Sequence, residues 1–143
     1  MTYFLDFLRS SDNDNMPAIH IDETTYTYKE LKRAVAIIAA EIQAKGLHKE
    51  AICVYQEDRL ETYAAILAVW CTGNTFIPIN PTYPEARVEY ISQLSSSKMI
   101  IATAGSNLPY RGVVPVFHPD LNASCQTEVP EIVPYASTDI VYI

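Results

Sequence analysis

The chain has 143 residues, 49% of them hydrophobic and 19% charged, with a formal net charge of −7. That is enough apolar material for one packed domain, too little length for two, and the wrong composition for long disorder. An acidic chain without a basic stripe cannot neutralise phosphates, so nucleic acid is not an expected partner.

Taken in order, residues 2–9 place Tyr3, Phe4, Phe7 and Leu8 at the spacing of a short helix with one apolar face. Residues 10–15 are a polar break. Residues 17–22 and 25–28 predict two strands of a hairpin that turns at Asp22-Glu23-Thr24. A helix opens next, with Thr27 as N-cap and Glu30 three residues on completing a capping box. Leu31, Val35, Ile38, Ala39 and Ile42 form its apolar face, and Gly46 stops it. The short apolar run 51–55 suits a buried parallel strand. Residues 59–72 predict a second helix with Leu60, Tyr63, Ala64, Leu67 and Cys71 inward and Gly73 as its stop.

Residues 75–79 are the next strand, short or at an edge because Pro78 cannot donate to a ladder. Residues 80–84 form a rigid turn, and 84–95 a third helix with Pro84 in its first turn. Residues 98–103 and 113–117 are further strands. Residues 118–137 read as an irregular surface excursion, and 139–143 as an apolar strand. A strand left unfinished there implies a segment of a longer protein, and an open edge that would pair with a second copy in a homodimer. The expected fold is α/β, in three layers: a mostly parallel sheet flanked by helices, with right-handed crossovers, plus a small N-terminal β-hairpin.

Ready-made chemistry is scarce. Cys53, Cys71 and Cys125 are too far apart in sequence for a CxxC pair, which argues against a disulfide framework or zinc knuckle and for a reducing, cytoplasmic setting. The N-terminus lacks the layout of a signal peptide, and no apolar run has the length of a membrane span, so no membrane partner is expected. The acceptor pattern Asn122-Ala123-Ser124 has no secretory context. Gly46, Gly73, Gly105 and Gly112 make neither GxGxxG nor a phosphate loop, and both need clustered glycines so that backbone amides can reach phosphate. His118-Pro119-Asp120 resembles the tripeptide of J-domain co-chaperones but follows a strand rather than linking two helices. His20 with Asp22, and His118 with Asp120, are metal-ligand types on one strand face, but two ligands do not make a site. Glu57, Asp58 and Glu61 are explained by the dipole of the helix they open.

The informative stretch is Leu67–Arg87, LAVWCTGNTFIPINPTYPEAR. Gly73, Pro78, Pro81, Tyr83, Pro84 and Arg87 fall where the second core motif of amino-acid adenylation domains has its glycine, its strand-ending Pro-Leu-Asp-Pro and its Tyr-Pro-x-x-Arg. Upstream, Tyr26-Thr27-Tyr28-Lys29-Glu30-Leu31 resembles the first core motif, which contributes Tyr28, Glu30 and Leu31. Asp139-Ile140-Val141-Tyr142-Ile143 resembles the lead-in to the family's phosphate loop through Asp139 and Tyr142. The chain thus resembles the N-terminal part of a nonribosomal peptide synthetase adenylation domain, in the AMP-binding superfamily.

This resemblance implies that residues 1–143 are a partial N-terminal subdomain, truncated before the phosphate loop. The full enzyme would use ATP and Mg²⁺ to form an acyl-adenylate, then pass the acyl group to the phosphopantetheine thiol of a carrier protein. Its catalytic, cofactor-binding and metal residues would lie beyond this chain, whose motif residues are structural. The remainder of its own adenylation domain would be its partner. Two departures stand out: Asn80 replaces the usual Asp, as in acyl-CoA ligases, and Cys71 stands where many relatives have Lys. An acyl- or aryl-CoA ligase segment and a stand-alone α/β interaction domain are the alternatives, and the Tyr-Pro-x-x-Arg element favours amino-acid activation.

Overall fold

The structure, a computed structural model, describes residues 13–122. The expected helix at 2–9 and strand at 139–143, with Asp139 and Tyr142, lie outside the described residues. The chain begins with an antiparallel hairpin, β1 (Pro17–Ile21) and β2 (Thr24–Thr27), turning at Asp22, whose φ is 53°. Then come α1 (Tyr28–Ala44), β3 (Ala51–Tyr55), α2 (Leu60–Cys71), β4 (Thr75–Ile79), α3 (Glu85–Leu94), β5 (Met99–Ile101) and β6 (Val116–Phe117). The last four strands form one parallel sheet in the order β4-β3-β5-β6. The α/β fold with its parallel sheet, flanking helices and small hairpin is as expected.

Strand parity sets the two cores. Ile52, Val54, Phe76, Met99 and Ile101 point to the face covered by α1 and α2. Cys53, Tyr55, Ile77, Ile79, Ile100 and Ala102 point to the other, where Val88 of α3 and the residues between β5 and β6 close over them. The crossover from β3 to β4 uses α2 and the return from β4 to β5 uses α3, so direction and face reverse together, as crossovers of one hand require.

Helix ends are built from local chemistry. Three first-turn amides of α1 would otherwise be orphans. Tyr28 and Lys29 donate theirs to Met16 and Asp14 carbonyls, both at 3.0 Å. Glu30 donates its amide to Thr27 Oγ1 at 3.2 Å, and Thr27 N–H returns the bond to Glu30 Oε1 at 3.1 Å, the expected capping box. At the far end Gly46, φ 69°, donates to Gln43 O and Leu47 to Ile42 O. Gly73, φ 78°, repeats this for α2, donating to Trp70 O while Asn74 donates to Val69 O. α3 ends the same way on a serine: Ser96, φ 54°, donates to Gln93 O and Ser97 to Ser92 O.

Some expectations need correction. A single stripe predicts Tyr63 on the inward face of α2, yet Tyr63 is 38% exposed, its hydroxyl donating to Asp58 at 2.5 Å. Thr62, Ala65, Ala68 and Val69 are buried instead, because α2 is covered by α1 as well as by the sheet and one stripe cannot describe its buried arc. The strands expected at 98–103 and 113–117 shorten to β5 and β6, since Pro115 interrupts the valine run and Val113 is 99% exposed. Tyr28 is the first helical residue rather than the end of β2, and Pro84 is the N-cap of α3 rather than its first helical residue. Finally, the stretch after β6 is not wholly a surface excursion: Pro119 is buried and Leu121 packs against the α1/α2 core.

Candidate functional site

Of the residues singled out by the sequence, Gly73, Pro78, Pro81, Tyr83, Pro84 and Arg87 meet in the passage from α2 through β4 into α3, whereas Tyr28, Glu30 and Leu31 open α1. The strand bonds to β3 through its odd residues: Thr75 N–H donates to Glu50 O at 2.8 Å, and Ile79 O accepts from Gln56 N–H at 2.9 Å. Pro78 has the opposite parity, so its missing donor faces away from β3. Among the described residues β4 is an edge strand, which is where a strand tolerates proline.

After β4, Asn80-Pro81-Thr82-Tyr83 closes a turn, with Tyr83 N–H donating to Asn80 O at 3.0 Å. Asn80 Oδ1 accepts from Thr82 N–H at 2.9 Å and from Thr82 Oγ1 at 2.8 Å. Oδ1 acts only as an acceptor in these bonds, so an aspartate would make the same ones. Pro84, extended at φ −70° and ψ 164°, gives its carbonyl to Val88 N–H and so starts α3.

Tyr83 packs on the α3-side core, as a staple should, and Arg87 lies over its ring with Cζ 4.4 Å from the centroid. The sequence also allows an ion pair of Arg87 with Glu85 or Glu89. The described residues make none, and the guanidinium uses the aromatic face instead. Cys71 is fully buried, and desolvation pushes its thiol up to about 12.

Sequence reasoning missed Asn74. It is wholly buried, its Oδ1 accepts from Glu50 N–H at 3.0 Å, and its Nδ2 donates to Leu47 O at 3.1 Å and Thr72 Oγ1 at 3.0 Å. One amide thus ties the stop of α2 to the loop that follows α1. The signal was present: a polar residue held between a helix-stopping glycine and a buried strand has only the turn itself to bond to.

The carboxyl edge of the sheet, where open α/β sheets place ligands, is closed on itself. Thr103 Oγ1 donates to Glu57 Oε1 at 2.7 Å, and His118 Nδ1 donates to Ala102 O at 2.9 Å. His20 pairs across the hairpin with Thr25 Oγ1 at 2.8 Å, and Asp120 accepts from Asn122 N–H. Among the described residues no group of three or more His, Cys, Asp or Glu could hold a metal ion. The N–H groups of Gly46 and Gly73 already close helix ends, so they form no phosphate cradle. The described residues do not fit ATP or Mg²⁺. No described helix is long and apolar enough to cross a membrane.

Residues 9–140 match the family model described as AMP-binding enzyme. The chain is 30% identical over 100 residues to a mycosubtilin synthase polypeptide of Bacillus subtilis, covering 68% of this chain and 4% of the synthase. It is 27% identical over 139 residues to gramicidin S synthase 1 of Brevibacillus brevis, covering 93% of this chain and 13% of that synthase. Its fold matches the AMPPNP-bound form of the nonribosomal peptide synthetase FmoA3, with TM-score 0.81, 19% identity and coverage of 95% and 15%. It also matches the N-terminal subdomain of Klebsiella oxytoca NpsA, with TM-score 0.65, 22% identity and coverage of 88% and 34%. The chain therefore spans only a small part of its relatives. The family match over residues 9–140, most of the chain's length, makes this chain a member of the AMP-binding enzyme family.

Proposed function

We propose that this chain is the N-terminal scaffold of an ATP-dependent amino-acid adenylating enzyme and is inactive alone. The enzyme would form an acyl-adenylate and transfer the acyl group to a carrier-protein phosphopantetheine thiol. The observation that carries the reading is the family match over residues 9–140, and the relatives named as peptide synthases support amino acids as the acid class. Residues 1–143 are then one partial subdomain. The motif residues Tyr28, Glu30, Leu31, Gly73, Pro78, Pro81, Tyr83, Pro84 and Arg87 serve as caps, turns and packing, and Asp139 and Tyr142 as the lead-in to the phosphate loop. Its partners are the rest of its adenylation domain and a carrier protein in the cytoplasm, and a homodimer of the chain alone would show in concentration-dependent light scattering.

Among the described residues no group of three or more His, Cys, Asp or Glu could hold a metal ion, and on this reading the steps at phosphorus would fall to residues outside them. The test is ATP–pyrophosphate exchange against a panel of amino, aryl and fatty acids, run on this chain and on the protein encoded by the complete gene. The 143-residue chain is expected to give no exchange, and the complete protein to exchange with an amino acid. Exchange by the chain alone overturns the scaffold assignment. Exchange driven only by aryl or fatty acids overturns the acid class and favours the CoA-ligase branch.

A further inference from the structure

We infer that residues 118–122 form a latch fixing the course of the chain as it leaves β6, and that Arg33 of α1 is the residue that positions it. The register of β6 on β5 pairs Phe117 with Ile101 and brings His118 beside Ala102. A carbonyl can only accept, so His118 Nδ1 carries the proton in the 2.9 Å bond to Ala102 O. Pro119 follows, buried, and having no N–H it leaves no donor unsatisfied there. Asp120 Oδ1 then accepts from Asn122 N–H at 3.0 Å and turns the chain. That turn seats the Leu121 side chain against the α1/α2 core and aims its carbonyl at α1, where Arg33 Nη1 donates to it.

The neighbouring residue does the matching task for the incoming chain. Lys32 Nζ pairs with Asp14 Oδ1 at 2.5 Å, and Lys29 N–H binds the Asp14 carbonyl at 3.0 Å. A single turn of α1 therefore holds both the segment leading into β1 and the segment leaving β6. The His118-Pro119-Asp120 tripeptide gains a use in the latch. Arg33 is exposed, so its loss should open the latch locally and leave global stability nearly intact.

Amide hydrogen exchange by NMR on the 143-residue chain tests this. Arg33→Ala should speed exchange at Asn122 N–H roughly fivefold, the loss expected for an exposed charge-assisted bond. The Ala102 amide, bonded to Phe117 O inside the sheet, should keep its protection. Arg33→Lys, which can still donate to the Leu121 carbonyl, should recover part of the effect. Unchanged exchange at Asn122 in Arg33→Ala overturns the latch, as does an increase of equal size at Ala102, which would make Arg33 a general stabiliser.

Discussion

Three helices in this domain end in the same hydrogen-bond pattern with different residues at the left-handed position, and that supplies an internal control. Gly46 sits at φ 69° and Ser96 at φ 54°, both in the cap geometry. A β-carbon on Gly46 would meet nothing within 4 Å, so Gly46→Ala tests backbone strain without a clash. The left-handed conformation costs an L-residue about 1–2 kcal/mol, offset by about 0.4–1 kcal/mol because alanine restricts the unfolded chain. The net loss should be about 1 kcal/mol. Ser96→Gly runs the same arithmetic backwards: it removes the strain of an exposed serine, restores unfolded-state freedom, and should gain about 0.5–1 kcal/mol.

The assay is urea denaturation followed by circular dichroism. A change of 1 kcal/mol moves the midpoint by about 0.5 M at the slopes usual for this size, and the melting temperature by roughly 3–4 °C. Gly46→Ala should fall and Ser96→Gly should rise, with unchanged slopes. Gly73→Val should lose more than about 1 kcal/mol, because a β-branched side chain would have to enter a buried left-handed position. Gly46→Ala with an unmoved midpoint would refute the claim that these stops work through the left-handed conformation. A loss in Ser96→Gly would show that its positive φ is not a source of strain.

Asn74→Ala should cost about 1–3 kcal/mol, because it leaves the partly buried Glu50 amide and Leu47 carbonyl without this partner; a loss under about 0.5 kcal/mol by the same melts would mean that water replaces the amide. A double-mutant cycle on Tyr83→Leu and Arg87→Ala should return a coupling of about 0.5–1 kcal/mol, and zero coupling would reduce the stack to proximity. Burial raises the Cys53 and Cys71 thiols above their ordinary value of 9.0, the latter to about 12. A raised folded value means that their stabilising contribution is complete below the unfolded value and is lost as pH climbs toward the folded one. Stability should therefore fall above about pH 9, by up to about 1.4 kcal/mol per pH unit per thiol. Cys71→Ala should flatten that alkaline limb, and an unchanged limb would assign it to other groups.

The elements legible in the sequence were those with a single physical reading. The runs 51–55 and 75–79 became β3 and β4 at the expected bounds, because each is short, apolar and covered on both faces of the sheet. The cap of α1 was legible because Thr27 and Glu30 solve a local problem with local atoms. The face of α2 was not, since a helix covered from two directions buries Thr62 and Val69 along with Ala64 and no single stripe describes it. The end of α3 carried no glycine, and nothing in a run of serines announces which one turns left-handed. The chain path after β6 depends on Arg33, distant in sequence, and pairings of that range leave no periodic trace.

The candidate site was legible in a different sense, and the difference bears on what a family signature is. Gly73 ends a helix, Pro78 sits where a strand needs no donor, Asn80 and Pro81 make a turn, Pro84 starts a helix, and Arg87 stacks on Tyr83. Each has a sufficient local cause, and none requires a substrate. Such residues are readable because backbone geometry admits few solutions: only a residue that tolerates positive φ suits the stop, and only one lacking a required N–H suits the edge. If the whole protein adenylates an acid as proposed, that acid would be selected by side chains lining a pocket, where many solutions exist and no spacing rule applies. A sequence can therefore disclose the family through its punctuation while leaving the substrate unread, and the exchange assay with the acid panel is the measurement that supplies it.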